Sequence, residues 1–182
     1  MNKIYFSSDL HLGHNREFMY KPRGFENIYD HDHAIVEHFN EVMDWNDDLF
    51  ILGDVMLNDN ESGIKLLQQI PGHKHIIIGN HDTDTRVLMY ENTYNVQVDG
   101  YATVFKYGGL HFYLSHYPTL TSNHDYDKPL KARVINLCGH THTQNRWADW
   151  DKGYIYHCEL DAHNCYPILI NDIIKDIKQM TN

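Results

Sequence analysis

Short apolar runs that each end in a polar cluster recur along this chain. Ile4-Tyr5-Phe6 runs into Ser7-Ser8-Asp9-Leu10-His11, and Leu49-Phe50-Ile51-Leu52 into Gly53-Asp54. Ile76-Ile77-Ile78 is followed by Gly79-Asn80-His81-Asp82, Phe112-Tyr113-Leu114 by Ser115-His116, and Val134 to Cys138 by Gly139-His140-Thr141-His142. Runs of this length, bounded by Gly and polar residues, read as buried strands. The alternation from Val96 to Ser115, with Gly100 and Gly108-Gly109, suggests strands joined by turns. Tyr154–Tyr156 and Pro167–Ile170 read as further strands.

Between these runs the period changes. Ile35, Val36, Phe39, Val42 and Met43 recur at helical spacing, with Asp30 placed to cap the helix. Ser62–Ile70, stopped by Pro71-Gly72, reads as a second helix, with others near Thr85–Tyr90 and Asp172–Met180. Strand, helix, strand implies parallel crossovers, hence an α/β fold. His31 and His33 fall on opposite helix faces and are expected in solvent. His73 and His75 precede their strand, so an extended chain would put His75 roughly 20 Å from His81, at the wrong edge. Asn15–Tyr29 is an aromatic and basic loop, and Thr121–Lys131 a polar surface loop. Trp147 and Trp150 fit either a core edge or a dimer contact.

Composition narrows the class. A length of 182 residues suits one domain spanning 1–182. The net charge of -10 argues against an extended nucleic-acid-binding face, since phosphate contacts need Lys and Arg. A nucleotide substrate stays open, because bound divalent metals supply positive charge locally. Fifteen His stand against three Cys, and Cys138, Cys158 and Cys165 lack metal-type spacing. That usage fits a reduced, cytoplasmic setting. Neither a signal-type apolar stretch nor a run of membrane-spanning length is present, so no membrane partner is expected.

The polar clusters gather meaning together. Ligands of open α/β sheets bind beyond the carboxyl ends of the strands. Residues two apart on extended chain point the same way, so Asp9 with His11, and His140 with His142, can converge. Asp9, His11, Asp54, Asn80, His116, His140 and His142 are candidate metal ligands. If Asp54 bridges two ions, each receives four protein ligands, leaving room for water and substrate. The mixed imidazole and oxygen set suits divalent transition metals, Mn²⁺ first, with Fe, Zn²⁺ or Ni²⁺ as alternatives, better than Ca²⁺.

Ser8-Asp9-Leu10-His11-Leu12-Gly13-His14, Gly53-Asp54, Gly79-Asn80-His81-Asp82, Ser115-His116 and Gly139-His140-Thr141-His142 resemble the ordered motifs of the calcineurin-like metallophosphoesterases. The resemblance implies a calcineurin-like α/β sandwich, two mixed β-sheets flanked by helices, with a dinuclear site. It implies that Asp9, His11 and His142 bind one ion, Asn80, His116 and His140 the other, and that Asp54 lies between. His81 would contact the phosphate and serve as the catalytic residue. Longer relatives follow Gly-Asp with an Asp-Arg pair, where this chain has Val55-Met56-Leu57, so the partner that orients His81 is unassigned and Asp82 is only adjacent. His14 and Arg23 are candidates for substrate contact, and Arg146 a weaker one. The implied activity is metal-dependent hydrolysis of phosphoesters, with small or nucleotidic phosphodiesters ahead of phosphomonoesters. The alternative from another class is a non-catalytic binding module that keeps the fold.

Overall fold

The computed structural model describes residues 2–121, 129–147 and 154–180. Most of the expected Thr121–Lys131 loop, and Trp150, lie outside the described residues. Among the described residues, nine strands form two sheets. The first contains β1 (Ile4–Ser7), β2 (Asp48–Ile51), β3 (His73–Ile77), β4 (Val96–Gly100) and the short β9 (Ile168–Leu169), in the order β4-β3-β2-β1-β9. The second contains β5 (Ala102–Tyr107), β6 (Leu110–Ser115), β7 (Val134–Cys138) and β8 (Ile155–His157), in that order. Each is mixed, being parallel except for the β1–β9 and β5–β6 pairs.

Period-two burial explains why the sheets stack. Tyr5, Leu49, Ile51 and Ile76 point one way, onto α2 (Ile28–Val42), α3 (Asn60–Leu67) and α4 (Asp84–Glu91), meeting Ile35, Phe39, Leu67 and Tyr90. Their strand neighbours Phe6, Phe50, Leu52 and Ile77 point the other way, onto Phe112, Leu114, Ile135 and Leu137 of the second sheet. Phe6 stacks on Phe50 with ring centroids 5.1 Å apart. The closing helix α5 (Ile170–Met180) seals this second layer with Ile173 and Ile177. The expected α/β sandwich of two mixed sheets is therefore what forms. No helix among the described residues is long and apolar enough to cross a membrane.

Some boundaries differ from the sequence reading. The cap of α2 is Asn27, whose side chain accepts from Asp30 N at 2.9 Å, so Asp30 belongs to the first turn. The expected run of turn-linked strands from Val96 to Ser115 forms, but the chain changes sheets after Gly100: β4 edges one sheet and β5 the other. His73 and His75 lie at the start of β3, at the end away from Asn80. Trp147 covers a core edge, its ring 4.9 Å from that of Tyr156. A four-residue helix, α1 (Glu17–Tyr20), forms within the Asn15–Tyr29 stretch.

His163 sits buried after a 3₁₀ turn, its Nε2 donating to the His157 carbonyl at 2.9 Å. Burial pulls its pKa down to about 4. Between the ordinary value near 6.5 and 4, the unfolded chain takes up a proton that the folded chain refuses, so stability falls as pH drops through that window. His163→Gln keeps a donor without the titration. In urea unfolding at pH 7 and pH 4.5, the parent is expected to lose more stability than this variant on acidification.

Candidate functional site

The C-terminal ends of β1, β2, β3, β6 and β7 deliver their polar clusters to one place, and they do so through an unusual backbone. Asp9, His11, Asp54, His140 and His142 all have positive φ, at 56, 50, 54, 74 and 50°. Each such conformation costs a non-glycine residue about 1–3 kcal/mol, and clusters of them mark functional sites. The expectation that Asp9 with His11, and His140 with His142, converge through extended chain is thus corrected. They converge because tight turns aim them. Parallel pairing continues past the strands to hold those turns: Asp9, His11 and Leu12 donate to the carbonyls of Gly53, Asp54 and Val55, each at 3.0 Å. Gly79 has no substitute here, since a Cβ would collide with the Asp54 carboxylate.

Two groups of donor atoms form. Asp9, His11 and His142 make one, and Asp9, Asp54 and His116 the other, with the atoms of each within 4.8 Å of one another. Asp9 belongs to both groups, and Asp54, in the second, also brings Oδ2 to 3.8 Å from His11 Nε2 of the first, against 3.5 Å from His116 Nε2. Asn80 Oδ1 and His140 Nδ1 close on His116 Nε2 at 2.8 and 3.2 Å. His116 Nδ1 lies 2.8 Å from the Leu52 carbonyl, which only accepts, so the N–H belongs there and Nε2 carries a lone pair. The Asn80 Oδ1 acceptor thus faces the His116 Nε2 lone pair. Asp9 Oδ1 and both ring nitrogens of His11 are buried with no hydrogen-bond partner. Converging, unpartnered lone pairs in a buried site are what a cation resolves, and carboxylate, amide and imidazole donors suit a divalent transition metal. The seven residues expected as ligands are therefore brought together, and they fit the group.

Electrostatics point the same way. Burial works against an ionised Asp9, yet His11, His116 and His142 outweigh it and hold its pKa at about 2. Burial lowers the pKa of His11, and burial with His116 nearby lowers that of His140, which keeps lone pairs available. Burial raises the pKa of Asp54, a tendency that a bound cation would reverse.

Supporting groups fix the donors, and sequence reading overlooked most of them. Asp82 does not turn towards His81. It is buried and accepts from the N–H groups of Asp54 at 2.8 Å, Val55 at 3.3 Å and Gly79 at 2.9 Å, and from the Tyr90 hydroxyl at 2.8 Å. Asp161, never singled out from sequence, meets His142 Nδ1 at 2.9 Å, leaving Nε2 directed at Asp9 Oδ1, 3.7 Å away. Arg23 is not at the mouth of the site as a substrate contact would be. Its side chain is 1% exposed, donates twice to Asp161 at 2.7 and 3.1 Å, and reaches the Asp9 carbonyl at 2.8 Å. His31 was expected in solvent but is buried between Arg23, at 3.0 Å, and Asp32, at 2.9 Å. Arg146 pairs with Asp176 at 2.8 Å. His14 is buried beside His11, ring centroids 5.3 Å apart, and burial drops its pKa to about 4. The His81 ring is half-exposed near the centre, its Nε2 4.0 Å from Asp54 Oδ2, while His142 is another motif histidine with a partly open ring.

Residues 3–156 match the calcineurin-like phosphoesterase superfamily domain. The chain belongs to that superfamily. Calcineurin-like phosphoesterases of this kind act with divalent metal ions, in agreement with the donor set above. The gene 66 protein of Mycobacterium phage D29 is 27% identical, across 98% of this chain and 99% of its own. The gene 66 protein of Mycobacterium phage L5 is also 27% identical, across 79% of each. Among solved structures, a protein of unknown function from Aquifex aeolicus superposes with a TM-score of 0.70 at 23% identity, covering 96% of this chain and 99% of that one. That likeness concerns the calcineurin-like fold alone.

Asp82→Asn keeps the shape but replaces one acceptor oxygen with a donor, facing backbone N–H groups that themselves donate. Leaving buried donors unsatisfied costs about 1–3 kcal/mol each. Urea denaturation of Asp82→Asn is expected to show a loss of at least about 2 kcal/mol. Wild-type stability would mean that the Asp54 turn is held by something else.

Proposed function

We propose that this chain is a dinuclear metal-dependent phosphoesterase of the cytoplasm, hydrolysing phosphodiesters in preference to phosphomonoesters. The observation that carries the reading is the convergence on Asp54 Oδ2 of His11 Nε2 from one donor group and His116 Nε2 from the other, with Asp9 Oδ1 and both ring nitrogens of His11 buried and unpartnered. Asp9, His11 and His142 would hold one ion and Asn80, His116 and His140 the other, with Asp54 shared and Mn²⁺ the first candidate. When bound, such ions supply positive charge that draws in phosphoryl oxygens and lowers the pKa of water.

The chain's own groups account for the rest. His81 is anchored through its backbone: its N–H donates to Asp54 Oδ1 at 2.9 Å and its carbonyl accepts from Arg86. The ring itself stays half-exposed at the mouth, edge-on to His11 with centroids 5.7 Å apart. It is therefore placed to touch a phosphate seated over Asp54. As the water oxygen bonds to phosphorus and gives up a proton to solvent, the bond to the leaving oxygen breaks; His81 Nε2 gives its proton to that oxygen and regains one from solvent. Arg23 and Asp161 act at one remove, by keeping His142 in its orientation.

His81→Ala is expected to cut kcat about 10²- to 10⁴-fold while leaving metal content at the parent level. Turnover of bis-p-nitrophenyl phosphate and p-nitrophenyl phosphate by Mn²⁺-loaded protein, with elemental analysis alongside, checks both halves. Loss of both ions from this variant would break the division between ligand and catalyst. A parent protein inactive on both esters across Mn²⁺, Fe²⁺, Zn²⁺ and Ni²⁺ would remove the hydrolase reading.

A further inference from the structure

Two separate sets of ring contacts border the candidate centre, each ending in an exposed aromatic. In one, Phe18 meets His14 edge-on, centroids 5.6 Å apart, and His14 in turn lies against His11. In the other, Tyr117 meets His140 edge-on at 4.6 Å and His116 at 5.2 Å. His11 and His116 each face Asp54 Oδ2, at 3.8 and 3.5 Å, and belong to different donor groups, so Phe18 and Tyr117 adjoin different parts of the centre. Both are large apolar rings left to solvent, Phe18 at 71% and Tyr117 at 52% exposure.

Both rings are carried on anchored backbone. Phe18 precedes Met19 and Tyr20, which are buried and pin α1 to the body. The Tyr117 carbonyl accepts from the hydroxyls of Ser115 at 2.8 Å and Thr119 at 3.0 Å, and Thr119 N donates to Asn136 at 2.7 Å. An exposed ring on a fixed backbone is a preorganised stacking platform, because little order remains to be imposed when a planar group lands on it. The other aromatics of the 15–29 stretch are differently placed: Tyr20 is buried, Phe25 packs on the helix-side core, and the exposed Tyr29 lies against the His33 ring, centroids 4.1 Å apart, instead of a ring of the candidate centre.

We infer that Phe18 and Tyr117 are specificity-determining residues, each stacking one of the two planar groups of a phosphodiester whose phosphate sits over Asp54. This rests on the phosphoesterase reading and narrows it. A monoester has one organic group and meets one ring. A diester with two planar groups, aryl or nucleobase, meets both. A net charge of -10 disfavours tracking a polymer backbone through its phosphates and suits a short diester of this kind.

Steady-state kinetics of Mn²⁺-loaded parent, Phe18→Ala and Tyr117→Ala on bis-p-nitrophenyl phosphate and methyl p-nitrophenyl phosphate test the inference. With the bis-aryl ester, each substitution is expected to raise KM roughly tenfold, with kcat changed less than twofold, in line with the loss of one stacked ring. With the mono-aryl ester, the KM increase is confined to one of the two variants. A second readout does not depend on turnover: a dinucleoside monophosphate containing 2-aminopurine is expected to lose fluorescence on binding the parent and to lose less on binding either variant. KM values and quenching unchanged in both variants, from an active parent, would overturn the inference alone. An inactive parent that still quenches the probe through Phe18 and Tyr117 would overturn the hydrolase reading and keep the stacking sites. Equal losses of kcat on both esters would show that the two rings only support the fold.

Discussion

The Asp54 carboxylate is satisfied on one oxygen only. Oδ1 takes the His81 N–H, while Oδ2 faces three imidazole nitrogens at 3.5 to 4.0 Å, beyond hydrogen-bond reach. Around this half-held group the molecule assembles five strand ends. Asp82 grips the turn from beneath, Gly79 leaves it space, and the β1 loop runs alongside in register. The two sheets and their separate apolar layers serve as the rigid body that keeps these turns from relaxing.

That rigidity matters because the site is locally unfavourable. Five positive-φ residues and a knot of facing lone pairs would each prefer another arrangement. The body tolerates them because neighbours over-determine each turn: Arg23 and Asp161 fix His142, Leu52 fixes His116, and Glu159 accepts from Thr141 at 2.8 Å and Thr143 at 3.2 Å below the last loop. A cation would relieve the lone-pair conflict at both clusters, so metal affinity and fold stability draw on the same contacts.

Much of this was legible in the chain. Apolar runs ending in Asp-x-His, Gly-Asp, Gly-Asn-His, His and Gly-His-x-His located the strands and their common edge, since period-two burial and strand-end chemistry are local signals. Backbone hand was not legible: nothing in Asp9-Leu10-His11 announces a left-handed turn, and the extended-chain argument reached convergence by the wrong route. The supporting shell was hidden for a different reason. Asp161 lies 138 residues from Arg23, and only the fold brings them to 2.7 Å. His31 was misplaced because helical spacing ranks faces relative to one another and does not say that a buried Arg23 waits above one of them.

The proposed sharing of Asp54 between two cation sites makes both depend on one carboxylate. Elemental analysis and Mn²⁺ titration of the parent and Asp54→Ala, side by side under reducing conditions, test it most directly. Two ions per chain in the parent and fewer than one in the variant is the predicted result. Two ions retained by Asp54→Ala, or none taken up by the parent, would contradict it.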